Sequence, residues 1–144
     1  MQIFTIGFTK RSAEDFFETL NNTGASRLID VRLNNTSQLS GFTKKMDLNY
    51  FLRRICGMEY IHEPLLAPTA EMLSDYQRNK DWRVYSLLFL DLLSRREVEK
   101  RLTQTLFAER SVILCSEREP QHCHRSLVAE YLRRHWDGVE IIHV

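Results

Sequence analysis

No charge of one sign dominates this sequence. Its 144 residues carry 20 basic and 19 acidic side chains, a formal net charge of +1. Composition therefore encodes no bulk attraction to nucleic acid or to an anionic membrane, and leaves room only for a local basic patch. Long apolar runs are missing too. No stretch approaches the roughly 20 residues needed to cross a bilayer, and the apolar part of 84–93 is interrupted by Ser86 and Asp91. Met1-Gln2 leads straight into the short apolar run 3–6, with neither the basic stretch nor the long apolar core of a secretory leader, so none is expected. Cysteine is scarce. Cys56, Cys115 and Cys123 are an odd count with no Cys-x-x-Cys pair. That favours free thiols in a reducing cytoplasm over a disulfide framework. There is also no Gly-rich phosphate loop, nucleophile elbow, internal repeat, linker or low-complexity tract.

What is present is ordinary in bulk and ordered in pattern. The 43% hydrophobic and 27% charged content suits a globular chain. The run 3–6 predicts a strand that stops at Gly7. Ser12, with Asp15 three residues on, resembles a helix cap, followed by Phe16, Phe17 and Leu20 on one helical face and a stop near Gly24. Residues 27–32 read as a second strand with a polar end. Residues 34–45 form a long polar loop of a kind that is often functional. Leu48, Phe51, Leu52 and Ile55 have helical spacing, and 59–62 predicts a short strand broken by Pro64. Helices are expected over 71–78 and 82–93, and another from Ser94, capped by Glu97, to about Phe107. Residues 111–114 make the most convincing buried strand, ending in Cys115. A polar loop, 116–124, then leads into a helix striped by Leu127, Val128, Tyr131, Leu132 and Trp136, ended by Gly138, with a last strand over 139–144. The alternation predicts an α/β fold: one compact domain over residues 1–144, with a largely parallel sheet of about five strands and helices on both faces.

Ligands of such folds gather outside the carboxyl ends of the strands. Four strand ends here are polar: Gly7-Phe8-Thr9, Asp30-Val31-Arg32, His62-Glu63 and Cys115-Ser116-Glu117. Their convergence on one crevice is a stronger signal than any one of them. The segment from Cys115 to Arg125 concentrates the chemistry. A helix opening near His124-Arg125 offers unpaired backbone N–H groups to an anion. That field, with Arg or His nearby, turns a thiol into a nucleophile. Cys115 has the better strand-end position, while Cys123 is nearer the helix start. The plain alternative is a small inert core cysteine. Metal binding by Cys115, His122, Cys123 and His124 has the right ligand types, but the adjacency of Cys123 and His124 counts against it, so no metal ligand is assigned. Asp30 and Arg32, two apart on a strand, share a face and suit a ribose hydroxyl and a phosphate or carboxylate, although ion pairing with neighbouring loops accounts equally well for each. His62 beside Glu63 is a candidate acid/base, although a lone loop histidine is more often solvated.

The residues Thr5-Ile6-Gly7-Phe8-Thr9-Lys10, Leu28-Ile29-Asp30-Val31-Arg32, Leu114-Cys115-Ser116-Glu117 and Cys123-His124-Arg125 closely resemble the prokaryotic family called domain of unknown function 488, over nearly the whole chain. Asn34-Asn35-Thr36-Ser37-Gln38-Leu39 and Leu66-Ala67-Pro68-Thr69 look like one subgroup of it. Many members have a histidine where Phe8 stands. The resemblance implies a compact α/β fold and no established activity. The Asp-Val-Arg strand and the strand-Cys-loop-helix unit are similar in layout alone to rhodanese-like and cysteine-phosphatase domains, whose active loops are shorter.

Three functions are weighed. The first is a cysteine-dependent transferase or hydrolase acting on a sulfur-, phosphate- or nucleotide-bearing anion. Cys115 or Cys123 is its nucleophile, His124 and Glu117 move protons, and Asp30, Arg32, Arg125 and Thr9 bind the substrate. The second is a non-catalytic nucleotide- or nucleic-acid-binding module. Near-neutral charge argues against extended nucleic acid but not against a single nucleotide. The third is a metal-binding protein. The first is preferred, because two thiols in one segment exceed what gripping a phosphate requires. The sequence names no cofactor, membrane partner or oligomeric state.

Overall fold

The strand around Val112, Ile113 and Leu114 is apolar and buried and lies at the centre of a five-stranded sheet. The computed structural model describes residues 1–36, 41–107 and 110–144. In chain order the elements are β1 (Gln2–Gly7), α1 (Ala13–Thr23), β2 (Arg27–Asp30), α2 (Lys45–Phe51), β3 (Glu59–His62), α3 (Ala70–Asn79), α4 (Trp82–Arg95), α5 (Val98–Arg101), α6 (Gln104–Phe107), β4 (Arg110–Cys115), α7 (His124–His135) and β5 (Glu140–His143). The sheet order is β3-β2-β4-β1-β5, and every pairing is parallel. This is an α/β fold. Parallel strands covered on both faces need apolar residues on both faces, which is why 112–114 reads as a continuous apolar run rather than an alternation.

Alternate residues feed two separate cores. Phe4, Ile6, Leu28, Val112 and Leu114 meet Phe16, Phe17 and Leu20 of α1 and Leu48 of α2. Ile3, Ile29, Ile113 and Cys115 meet Tyr85, Phe89 and Leu93 of α4 and Val128, Ala129 and Leu132 of α7. The connections therefore leave the two central strands in opposite senses. From β1 the chain crosses one face through α1 to reach β2; from β4 it crosses the other face through α7 to reach β5. The topological switch point lies between β1 and β4, whose carboxyl ends, Gly7 and Cys115, pair in register. That is where a doubly wound sheet opens a crevice.

The local signals largely hold. Ser12 caps α1 by accepting from the Asp15 N–H at 3.0 Å, and Gly24 closes it at φ 64°. Two expectations are corrected. The helix expected from Ser94 to Phe107 does not form: α4 runs through Ser94 to Arg95, because Leu92 and Leu93 continue its buried face. The chain then breaks at Glu97, which has a left-handed φ of 51°, and resumes as the short α5 and α6. Arg96 anchors the break by donating to the carbonyls of Leu65 and Ala67 at 2.8 and 2.7 Å. The loop expected over 34–45 is shorter, since a helical turn spans Gly41–Thr43 and α2 begins at Lys45. Its positions 37–40 lie outside the described residues.

Candidate functional site

The floor of the crevice is built by Cys115, Cys123 and His124. One ligand atom from each lies within 4.8 Å of the others, and all three side chains are buried. Cys115 arrives on the last residue of β4. Cys123 stands just before α7 in extended backbone, φ −129° and ψ 135°, and His124 is the first helical residue. The change of backbone conformation between them lets two adjacent side chains serve one centre.

His124 is held in one tautomer. Its Nε2 is 2.8 Å from the Val31 carbonyl, which can only accept, so Nε2 carries the proton and Nδ1 offers its lone pair. Nδ1 is 3.2 Å from Cys115 Sγ and Nε2 is 3.6 Å from it. These near-equal distances set the sulfur against the flank of the ring rather than squarely on the Nδ1 lone pair. Proton transfer between them requires the ring to turn about its Cβ–Cγ bond. Burial depresses the His124 pKa below its ordinary value and keeps the imidazole neutral. Hydrogen bonding to Cys115, reinforced by burial, pushes the Cys123 thiol far up, so Cys123 stays protonated and donates to its neighbour's sulfur.

A cleft of about 340 Å³ opens over this floor. One side is Arg32, Leu33 and Asn34 after β2; another is Ser116, Glu117 and His122 from the loop after β4. The third side comes from the junction of α3 and α4 and carries Tyr76, Lys80, Trp82 and Tyr85. Its aromatic rings form a column from core to solvent. Phe89 stacks on Tyr85 at 6.0 Å, Tyr85 on Trp82 at 5.4 Å, and Trp82 on the exposed His122 at 5.0 Å. Burial, with Cys115 and Cys123 beside it, raises the Tyr85 phenol pKa and leaves it a hydrogen-bond donor. Lys80, held in a left-handed conformation at φ 55° where α3 ends, sits 5.7 Å over the Tyr76 ring.

The remaining residues proposed from sequence fall into two groups. Arg32 and Glu117 line the cleft with Cys115, Cys123 and His124. Asp30, Thr9 and Arg125 do not. Asp30 is fully buried and holds Arg32 in a fork, with Oδ1 to Nε at 2.9 Å and Oδ2 to Nη2 at 2.8 Å. Tyr60 completes that site by donating to Asp30 at 2.6 Å, and Arg32 Nη2 also donates to the Thr43 carbonyl at 2.7 Å. Arg32 Nη1 is buried with no hydrogen-bond partner among the described residues. Thr9 donates to the Ser116 carbonyl at 2.7 Å. Arg125, fully buried, donates to the carbonyls of Glu117 and Arg118, and its Nη1 lies 3.4 Å from Cys123 Sγ. Its guanidinium shapes the loop from inside instead of facing a ligand. His62 Nε2 contacts the Arg32 carbonyl at 2.9 Å and supports that turn from β3.

The aromatic wall escaped the sequence reading. Its signal was the run Tyr76, Trp82 and Tyr85 around the cap Asn79-Lys80-Asp81, which reads equally well as helix packing.

The family model described as domain of unknown function DUF488 matches residues 12–132. The chain belongs to that family. No curated protein and no solved structure matches it.

Proposed function

We propose that this family member is a cysteine-dependent enzyme, a transferase or hydrolase working on a small anionic substrate in the cleft, with Cys115 as its nucleophile. The observation that carries the reading is the position of Cys115: at the switch point, on the cleft floor, 3.2 Å from the lone-pair nitrogen of a histidine that Val31 holds in place. With a turn of the ring about Cβ–Cγ, the Cys115 thiol passes its proton to Nδ1 of His124. Its sulfur forms a bond to the electrophilic phosphorus or sulfur of the substrate. The bond to the leaving group breaks, and the leaving group departs with the electron pair and takes up the proton from the imidazolium. Water then removes a phosphoryl group from Cys115, or a nucleophilic acceptor such as a thiol takes the outer sulfur of the persulfide, and the departing Cys115 sulfur regains a proton. The unpartnered Nη1 of Arg32 and the ammonium of Lys80 supply donors for the anion, and the Cys123 thiol stabilises the Cys115 thiolate. The roles of Arg125 and Thr9 shift from binding substrate to holding the 116–122 loop.

Alkylation mapping tests the nucleophile. In reduced, chelator-treated protein at neutral pH, iodoacetamide is expected to modify Cys115 ahead of Cys56 and Cys123, as read by peptide mass. Cys56 is an internal reference, because burial raises its thiol pKa. His124→Gln should slow Cys115 modification by about 100-fold, the lower end of what a positioned base supplies. Uniform labelling of the three thiols, or a Cys115 rate indifferent to His124, would remove the reading.

The aromatic column favours a second reading, a non-catalytic nucleotide site in which a base stacks beside Trp82 and His122. Quenching of Trp82 fluorescence by nucleoside monophosphates, with no thiol selectivity in the alkylation map, would support it over the first.

A further inference from the structure

We infer that Cys115, Cys123 and His124 are the three protein ligands of a soft divalent metal, zinc by their chemistry, with its fourth position open to the cleft. They form the one group of three such side chains within ligand distance among the described residues. Tetrahedral zinc binds sulfur at about 2.3 Å and imidazole nitrogen at about 2.0 Å, which sets neighbouring ligand atoms roughly 3.5–3.8 Å apart. The observed atoms lie within 4.8 Å of one another, so a shift of about an ångström closes the set around an ion.

The surroundings match those of a ligating centre. A metal-binding histidine normally donates its second ring nitrogen to a carbonyl, which fixes the tautomer and aims the free lone pair. His124 does this through Val31 at 2.8 Å. A ligating thiolate is normally hydrogen-bonded as well, and Arg125 Nη1 reaches Cys123 Sγ at 3.4 Å. Two thiolates balance the charge of one divalent ion in a site with no carboxylate among its ligands, and each thiol gives up its proton on binding. The adjacency of Cys123 and His124 is no obstacle, because they straddle the start of α7 and their side chains leave the backbone in different conformations. Structural zinc sites present four protein ligands; three with a cleft beside them is the catalytic pattern. The fourth position would receive an anionic oxygen or sulfur of the substrate.

The inference shares the cleft with the function proposed above but does not depend on Cys115 acting as a nucleophile. Protein purified without chelator is expected to contain about one zinc per chain by elemental analysis. After stripping, cobalt(II) should restore one equivalent, giving thiolate-to-cobalt charge-transfer absorption and the visible bands of a tetrahedral ion. Cys115→Ser and Cys123→Ser should each weaken the metal by more than about 100-fold, beyond the cost of losing an outer-shell partner. Cys56→Ser should leave it unchanged, and zinc should slow alkylation of Cys115 and Cys123 together. A folded wild-type chain that gives no cobalt charge-transfer band overturns the inference whatever the variants do, as does equal loss in Cys56→Ser. Failure here with selective Cys115 alkylation intact leaves the proposed enzyme standing. Tight metal with an unreactive Cys115 removes the nucleophile and keeps the metal.

Discussion

Arg125 shows how much a single side chain can do without touching a ligand. Its guanidinium is fully buried and satisfies the carbonyls of Glu117 and Arg118 while approaching Cys123. Removing it strips two part-buried carbonyls of their donor and leaves a cavity where the fully buried guanidinium stood, each lost bond costing about 1–3 kcal/mol at most. Arg125→Met is therefore expected to lower stability by about 3–5 kcal/mol, measured by urea unfolding. Arg125→Lys should recover little, because an ammonium cannot reproduce the fork. The juxtaposition of Cys115, Cys123 and His124 follows from the segment that the sequence singles out, a strand end followed by a helix start. The partner of each donor was not readable. Nothing in Cys123-His124-Arg125 says that the arginine turns inward to the loop backbone while the histidine turns to Val31. That is decided by contacts with residues 7–8 and 93 positions away in the chain.

At the level of elements, the close approach of β1 and the 116–122 loop sets the floor of the cleft. A Cβ placed on Gly7 would overlap the Glu117 carbonyl and crowd the Arg125 guanidinium. Gly7→Ala should displace the loop, costing about 3 kcal/mol, the upper range for overpacking. It should also alter Cys115 alkylation, although Gly7 bears no reactive group. Loop-strand hydrogen bonds from Phe8 and Thr9 to Ser116 at 3.2 and 3.0 Å would be the first lost. The strands were legible because apolar runs bounded by Gly, Pro and polar residues have few other solutions. The Ser94–Glu97 cap was misread because Ser94 lies in the last turn of α4, whose apolar face runs through Leu92 and Leu93, and Glu97 falls in the left-handed break after it. The cleft's third wall was illegible for a related reason: helical spacing reveals which residues are buried, not which sheet edge the helix will overhang.

At the scale of the whole molecule, two buried groups make stability depend on pH in opposite senses. His124 has its pKa lowered by burial from an ordinary 6.5, so the unfolded chain binds a proton that the folded chain refuses. Its contribution is complete above about pH 6.5 and is lost as pH falls below that value. Cys123 has its pKa raised from an ordinary 9.0, so its contribution is complete below pH 9.0 and declines as pH rises further. Urea midpoints of chelator-stripped protein measured from pH 4 to pH 10.5 should form a plateau with a shoulder at each side. His124→Gln should flatten the acid side and Cys123→Ala the alkaline side. An acid side unchanged by His124→Gln would show that other groups set it.

The sheet order has a consequence in time. β1 has no neighbours but β4 and β5, and Gln2 pairs with Arg110 and Glu140. Of the five strands of this sheet, the earliest synthesised is thus among the last to find its place. At about 5–20 residues per second, synthesis takes roughly 5–20 s to supply the hundred or so residues between them. Through that interval α1 can already cover Phe4 and Ile6, but Ile3, whose core neighbours come from α4 and α7, and both hydrogen-bonding edges of β1 wait for segments not yet made.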